Sequence, residues 1–310
     1  MLFLYIGLGI LGFILISFLV LTFIFGRTFF HVSFDRRKGD KDFVKTENPA
    51  DKKKPSRIWF SQQKIEELSI VSKDKLVLKG YFLNNHSNKL AIISHGYRGR
   101  YYSSTAQAKT FFDNGYDVLL PNNRAHDTSE GKTFTMGPKE QKDLIQWIKL
   151  MVERNPNYQI VLMGVSMGAH ITMMTVGRKE LPENVKCFIE DCGYHCLRDE
   201  LNYECKYRVK LKMPRYAVFS GEIYSKLFHG FGFNDSVKNS FKNVKIPGLF
   251  LHGEKDDYVP IYNMHKNFEA MPENVDKEKV VFKDTGHNRS VFVEPLYSKS
   301  IINFVNKYIK

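Results

Sequence analysis

Ser166 stands between two glycines in GVSMG, residues 164–168, directly after the apolar run QIVLM. A serine hydroxyl is a weak nucleophile unless a base takes its proton and a third group orients that base. Hydrogen-bond donors must also wait where negative charge develops on the attacked carbonyl oxygen. The chain offers a candidate for each role. His287, in DTGHNRS, is available as the base, and HGEKDDYVP supplies Asp256 and Asp257 as carboxylates to fix its tautomer and stabilise the imidazolium. The order serine, acid, histidine separates one serine-hydrolase architecture from others that reach the same constellation. For the oxyanion, the amide of Met167 lies where a helix would open, so its N–H points toward the developing charge. A second amide is expected from the loop after KLAIISHG, where Tyr97 in HGYRGR is the candidate.

An elbow of this kind needs a strand that ends at the serine and a helix that begins after it. QIVLMGVS reads as that strand and MGAHITMMTVGRK as that helix. ELSIVS and LVLKGYFL flank SKDK as a β-hairpin. KLAIISHG, YDVLLPN, VKCFIEDCG, KIPGLFLHG and EKVVFKDTG read as further strands. TAQAKTFFDNG, PKEQKDLIQWIKLMVERN and YSKSIINFVNKYIK carry the helical period. Apolar runs alternating with helices predict an α/β fold, a mostly parallel sheet covered on both faces, with the hairpin adding antiparallel strands at one edge. Residues from about 195 to 243 break this rhythm and are expected to form an inserted helical lid within a domain spanning 57–310.

Five stretches, ISHGYRGR, NRAHDTSEG, GVSMGAH, LFLHGEKDDYVP and DTGHN, make residues from about 60 to 310 resemble the α/β-hydrolase superfamily. More narrowly they are similar to membrane-anchored or secreted bacterial hydrolases of the serine aminopeptidase-like, lysophospholipase-like or esterase-like group. The resemblance implies Ser166 as nucleophile, His287 as base, Asp256 rather than Asp257 as the acid, and the amides of Tyr97 and Met167 as oxyanion donors. One position departs from the family pattern: Asp127 follows His126 where a glycine is usual, which puts the backbone shape of that loop in question.

The N-terminus belongs to a different environment. Residues 2–25 contain no charged side chain. As a helix they would run roughly 36 Å, enough to cross a hydrocarbon core of about 30 Å. A secretory signal would show a basic start, a shorter apolar run and a small-residue cleavage site. The sequence matches none of these, so residues 1–26 are expected to be a transmembrane anchor. Gly7, Gly9 and Gly12 match a dinucleotide-binding spacing, but that site needs a strand and helix around it, and here it lies within the span. Residues 27–56 read as a charged linker. Arg27, Arg36, Arg37, Lys38 and Lys41 follow the span, which by charge bias favours a cytoplasmic catalytic side. The linker's cations also suit anionic headgroups.

The 310 residues carry a formal net charge of +13 and no nucleic-acid motif, so the membrane is the expected anionic partner and nucleic acid is not. Cys187, Cys192, Cys196 and Cys205 lack the paired spacing of a zinc site and read as reduced thiols. Neither a metal nor an organic cofactor is expected.

Several other polar groups have ordinary expectations. His95, His126 and His252 read as hydrogen-bonding residues of strand ends and loops, and His170 as packed. Glu190 and Asp191 are expected to be solvated or to cap a turn, with a substitute acid or a substrate contact as the functional alternative. Lys206 to Met213 alternate cations with apolar residues, read as a solvated surface with an anionic headgroup or substrate as the functional alternative. Phe219, Phe228, Phe231 and Phe233 suit either an acyl pocket or a packed lid core. The functional expectation is a serine hydrolase acting on an ester, amide or thioester of a small or lipid-like acyl substrate. The alternative is an inactive, membrane-tethered binding or scaffold protein.

Overall fold

The structure is a computed structural model that describes residues 1–36 and 55–310. Most of the expected linker therefore lies outside the described residues. The chain divides into two compact units, Met1–Asp35 with Arg198–Asn234, and Arg36–Leu197 with Asp235–Lys310.

The larger unit is built on an eight-stranded sheet in the order β1-β2-β4-β3-β5-β6-β7-β8. Its strands are β1 (Ile65–Val71), β2 (Val77–Leu83), β3 (Lys89–Ser94), β4 (Asp117–Pro121), β5 (Gln159–Val165), β6 (Val185–Asp191), β7 (Gly248–Gly253) and β8 (Lys277–Phe282). β1 and β2 form the predicted hairpin, and β2 pairs antiparallel with β4. From β4 to β8 every pairing is parallel. A parallel strand is covered on both faces, so both sets of alternating side chains must be apolar. β3, β4, β5 and β7 meet that demand: Leu90 to Ile93, Val118 to Leu120, Ile160 to Met163 and Leu249 to Leu251 are all buried.

One face of the sheet is closed by α3 (Thr105–Asp113) and α10 (Leu296–Val305), whose Phe111, Tyr297, Ile301 and Phe304 join Val118, Val161, Ile189 and Leu251 in a continuous apolar cluster. α4 (Glu140–Arg154), α5 (Met167–Val176), α8 (Val237–Phe241) and α9 (Tyr262–Ala270) complete the helical set, with α4 packing on α5 and α5 on α8. A short helix, α2 (Pro55–Ser61), rests on α3.

In the smaller unit, α1 (Leu2–Phe34) runs eight residues past the expected boundary at 26. Its first two turns and beyond are exposed on every side, whereas Thr22, Gly26, Phe30 and Phe34, spaced four apart, are buried. That stripe meets α7 (Pro214–His229), which begins with proline in its first turn and ends at Gly230 in the left-handed conformation. The approach is close: a Cβ on Gly26 would lie 2.3 Å from the Ser220 carbonyl oxygen. Tyr216 and Thr22 hydroxyls are 2.8 Å apart, and the Phe30 ring stacks on His229 with centroids 3.9 Å apart. The helix is prolonged because this stripe gives its last turns something to bury.

The insertion is helical, as expected, comprising α6 (Leu197–Tyr203), a π-helical turn at Glu204–Arg208, and α7. Of its four phenylalanines, Phe231 and Phe233 are buried against Phe34 of α1. Phe219 and Phe228 are 54% and 58% exposed, which fits neither the packed core nor the pocket expected for them.

Candidate active site

β5 lies between β3 and β6, in the middle of the sheet, and delivers Ser166 to its C-terminal edge. The next residue, Met167, opens α5. Ser166 itself has φ 57 and ψ −119, a backbone conformation that L-residues avoid and that active-site elbows hold under strain. The flanking glycines have a direct reason. A Cβ on Gly164 would sit 2.1 Å from the Gly168 carbonyl oxygen, and one on Gly168 would sit 2.1 Å from that of Ser94. The strand and helix come together too closely for any side chain at either point. Ser166 N–H donates to the Asp191 carbonyl at 2.8 Å, tying the elbow to β6.

His287, in the loop after β8, places Nε2 3.0 Å from Ser166 Oγ and Nδ1 2.8 Å from Asp256 Oδ2. With a carboxylate accepting at Nδ1, the ring carries its proton there and Nε2 is left to accept from the serine hydroxyl. Asp256, in the loop after β7, is buried, and the neighbouring Asp257 is exposed. Asp256 Oδ1 accepts the N–H groups of Tyr258 and Val259, each at 2.9 Å. Burial works to raise this carboxyl, but hydrogen bonds from His252 and His287 outweigh it and leave the pKa at about 2.

His252 is a feature that sequence reasoning passed over as an ordinary strand-end residue. It is wholly buried, its Nε2 lies 2.8 Å from the Val259 carbonyl oxygen, and it also reaches Asp256 Oδ2 at 3.2 Å. Burial opposes a charge on this ring, yet the Asp256 hydrogen bond and the nearby Glu190 carboxyl raise its pKa. The signal in the sequence is its place four residues before Asp256, at the end of the same strand. Tyr258 is the second such residue: its ring stacks on His287 with centroids 4.8 Å apart.

The two candidate oxyanion donors lie beside the serine. Met167 is the first helical residue of α5, and first-turn N–H groups have no acceptor within their own helix. The backbone before Tyr97 passes close by, since a Cβ on Gly96 would be 3.3 Å from Ser166 Cβ and 3.8 Å from its Oγ.

Cys192, Asp256 and His287 bring possible metal-ligating atoms within 4.8 Å of one another. Two of the three are already bonded to each other, and burial raises the Cys192 thiol well above its ordinary value, which disfavours the thiolate a metal needs. All four cysteines are buried thiols outside any disulfide.

The expectation for Glu190 and Asp191 needs correction. Both carboxylates are fully buried, because β6 is an interior strand and its end stays covered. The capping role holds for Glu190, whose Oε2 accepts Gly193 N–H at 2.8 Å, but the solvated one does not. Burial pushes its pKa up to about 8. Asp191 accepts the Tyr297 hydroxyl at 2.8 Å, and burial raises it to about 6.

The other histidines hold loops, as expected. His95 lies with Nδ1 2.9 Å from the Gly96 carbonyl oxygen and accepts Asn123 N–H at 3.1 Å. His126 accepts Arg98 N–H at 3.2 Å, and His170 is packed at 0% exposure. Asp127 resolves the question its loop raised. Its φ of 44 is the left-handed region a glycine would enter freely, and aspartate tolerates it better than most residues. Its carboxylate is held by Arg100 at 3.2 Å and Asn122 at 3.1 Å.

The family profile described as serine aminopeptidase, S33, matches residues 85–198. A curated relative, the Bacillus subtilis (strain 168) protein named uncharacterized protein YqkD, is 26% identical over 253 residues, covering 79% of this chain and 80% of that one. Among solved structures, the Pyrococcus furiosus esterase Pf2001 superposes with a TM-score of 0.67 at 25% identity, covering 80% of this chain and 92% of that one. The Pyrococcus horikoshii acylaminoacyl peptidase gives 0.59 at 18% identity, covering 82% of this chain and 43% of the larger one. The fold is that of the α/β-hydrolases, and the chain is similar to members of that superfamily. These matches support a hydrolytic enzyme.

Proposed function

We propose that this protein is a serine hydrolase that cleaves a carboxylic ester, amide or thioester through an acyl-enzyme on Ser166. His287 takes the hydroxyl proton through Nε2 as Ser166 Oγ attacks the carbonyl carbon. The N–H groups of Met167 and Tyr97 receive the negative charge on the carbonyl oxygen. Collapse of the tetrahedral intermediate breaks the bond to the leaving group, which takes the proton back from His287. Water then attacks the acyl-enzyme, giving its proton to the same nitrogen, and the acid departs with Ser166 restored. Asp256 keeps the proton of His287 on Nδ1 and stabilises the imidazolium. The observation that carries this reading is the continuous relay, 3.0 Å from Ser166 Oγ to His287 Nε2 and 2.8 Å from Nδ1 to Asp256.

The tests are direct. A fluorophosphonate probe should label the wild-type protein and fail on Ser166→Ala. The same variant should lose short p-nitrophenyl ester hydrolysis by on the order of 10⁴ to 10⁶ in kcat. Undiminished hydrolysis would mean the wrong nucleophile has been chosen.

Part of the same proposal is that α1 crosses a bilayer. Its most apolar 18-residue window has a mean hydropathy of 2.8 and is 6% buried within the protein, the profile of a helix that meets lipid. The cations that follow it favour a cytoplasmic hydrolase unit. Alkaline carbonate and high salt should then leave the protein in the membrane fraction, whereas a cleaved signal would release it.

A further inference from the structure

The apolar surface of α1 does not stop where a bilayer would. At 1.5 Å per residue the 33-residue helix runs about 50 Å, roughly 20 Å more than a hydrocarbon core requires. Its C-terminal third therefore stands at and beyond the bilayer edge, and the packing on α7 begins somewhat earlier, at Phe18. The ring of Tyr216, in the first turn of α7, is 6.3 Å from Phe18 and 5.9 Å from Phe25. Phe228 meets Phe23 with ring centroids 5.8 Å apart. Phe23 is itself 45% exposed, so the lipid-facing surface of the anchor continues directly onto Phe228. Phe219 and Leu227, eight residues apart on one face of α7, are 54% and 71% exposed.

Charge is placed to match. In the chain leading into α7, Lys206, Lys210 and Lys212 are exposed and alternate with Tyr207, Val209, Leu211 and Met213, themselves 39–61% exposed. Arg215 is exposed at the helix start. Cations flanking an exposed apolar helix face are the composition of an element that lies in an interface, apolar side among acyl chains and charges at the headgroups. Each such cation near an anionic surface adds to the electrostatic attraction.

We propose that α7 and the segment Lys206–Met213 sit in the leaflet from which the C-terminal end of α1 emerges, as a second, non-spanning membrane element. Phe219, Leu227 and Phe228 contact lipid chains there, and Lys206, Lys210, Lys212 and Arg215 contact anionic phospholipid headgroups. This rests on the reading of α1 as a membrane span.

The experiment uses full-length protein in vesicles of phosphatidylcholine and phosphatidylglycerol, with a fraction of the lipid brominated in its acyl chains. Phe13→Trp reports the anchor, and Phe219→Trp and Phe228→Trp report α7, each read as a difference from the parent, whose own tryptophans are Trp59 and Trp147. All three introduced tryptophans are expected to be quenched, losing roughly half their emission. Replacing Lys206, Lys210, Lys212 and Arg215 together by glutamine is expected to weaken quenching at 219 and 228, but not at 13, in the anionic vesicles. Quenching at 13 alone overturns the proposal and leaves the anchor standing. No quenching at 13 overturns the anchor reading and this proposal with it. Tryptophans at 219 and 228 shielded from both brominated lipid and aqueous acrylamide would mean that a second protein copy covers α7, and would also overturn it.

Discussion

Asp256 accepts two backbone N–H groups and faces two imidazoles, and each group marks a different vulnerability. Asp256→Asn would keep the size but offer His287 an amide that can donate, turning the ring to the wrong tautomer. A loss of about 10⁴ in kcat with KM little changed is expected. His252 acts through Asp256 and is a positioning residue. His252→Phe should lower kcat more modestly, about tenfold to a hundredfold. It should also shift the acid limb of the pH–rate profile upward, since a donor that lowers the Asp256 pKa is gone. A purely structural role would lower stability without moving that limb. At this scale the sequence named Ser166 and His287 by motif and order and Asp256 by resemblance, and the fold brings these three side chains into one hydrogen-bonded line. His252 and Tyr258 were not legible there, because nothing in their types distinguishes a residue beneath the acid from an ordinary loop residue. That distinction depends on how far β7 and β8 carry their loops around the serine.

At the scale of elements, the elbow is a close contact between β5, α5 and the end of β3. Gly168→Ala would force its methyl against the Ser94 carbonyl, where the gap is 2.1 Å. A destabilisation above about 3 kcal/mol is expected, read by denaturant unfolding, with activity falling in parallel. The α1–α7 contact is of the same kind. Gly26→Leu should push the helices apart at Ser220 and speed proteolysis within residues 207–213 in detergent, leaving ester hydrolysis by the larger unit measurable. Strands and helices of the larger unit could be read from apolar period alone because parallel strands are buried on both faces. The extent of α1 could not. Its last turns are helical only because α7, distant in sequence, buries a stripe spaced four residues apart. Nor does the apolar pattern of Phe219 and Phe228 reveal whether such rings turn inward or to lipid.

For the whole molecule, buried titrating groups set how stability follows pH. Glu190 has a native pKa of about 8 against an ordinary value of 4.5, so between those values the native state keeps a proton that the unfolded chain has lost. Stability therefore falls as pH rises through that window, by on the order of 5 kcal/mol. His252 acts in the same direction, since a raised histidine stabilises at low pH and its contribution is lost as pH rises through its native value. Asp256 has the opposite sign, stabilising above its ordinary range and losing that contribution only as pH falls toward about 2. Glu190→Gln is expected to flatten the decline of Tm between pH 5 and about 8, as followed by calorimetry. A decline as steep as that of the wild type would remove Glu190 as its source.

The Tyr297 hydroxyl on Asp191 has a temporal consequence. Asp191 anchors the serine elbow through its backbone, yet its carboxylate finds that hydroxyl only on α10, more than a hundred positions later in synthesis. His287 also emerges late. On the proposed readings of α1 as a membrane span and Ser166 as nucleophile, the growing polypeptide would meet lipid while its serine is still inert, and hydrolytic competence would follow targeting once the final helix docks.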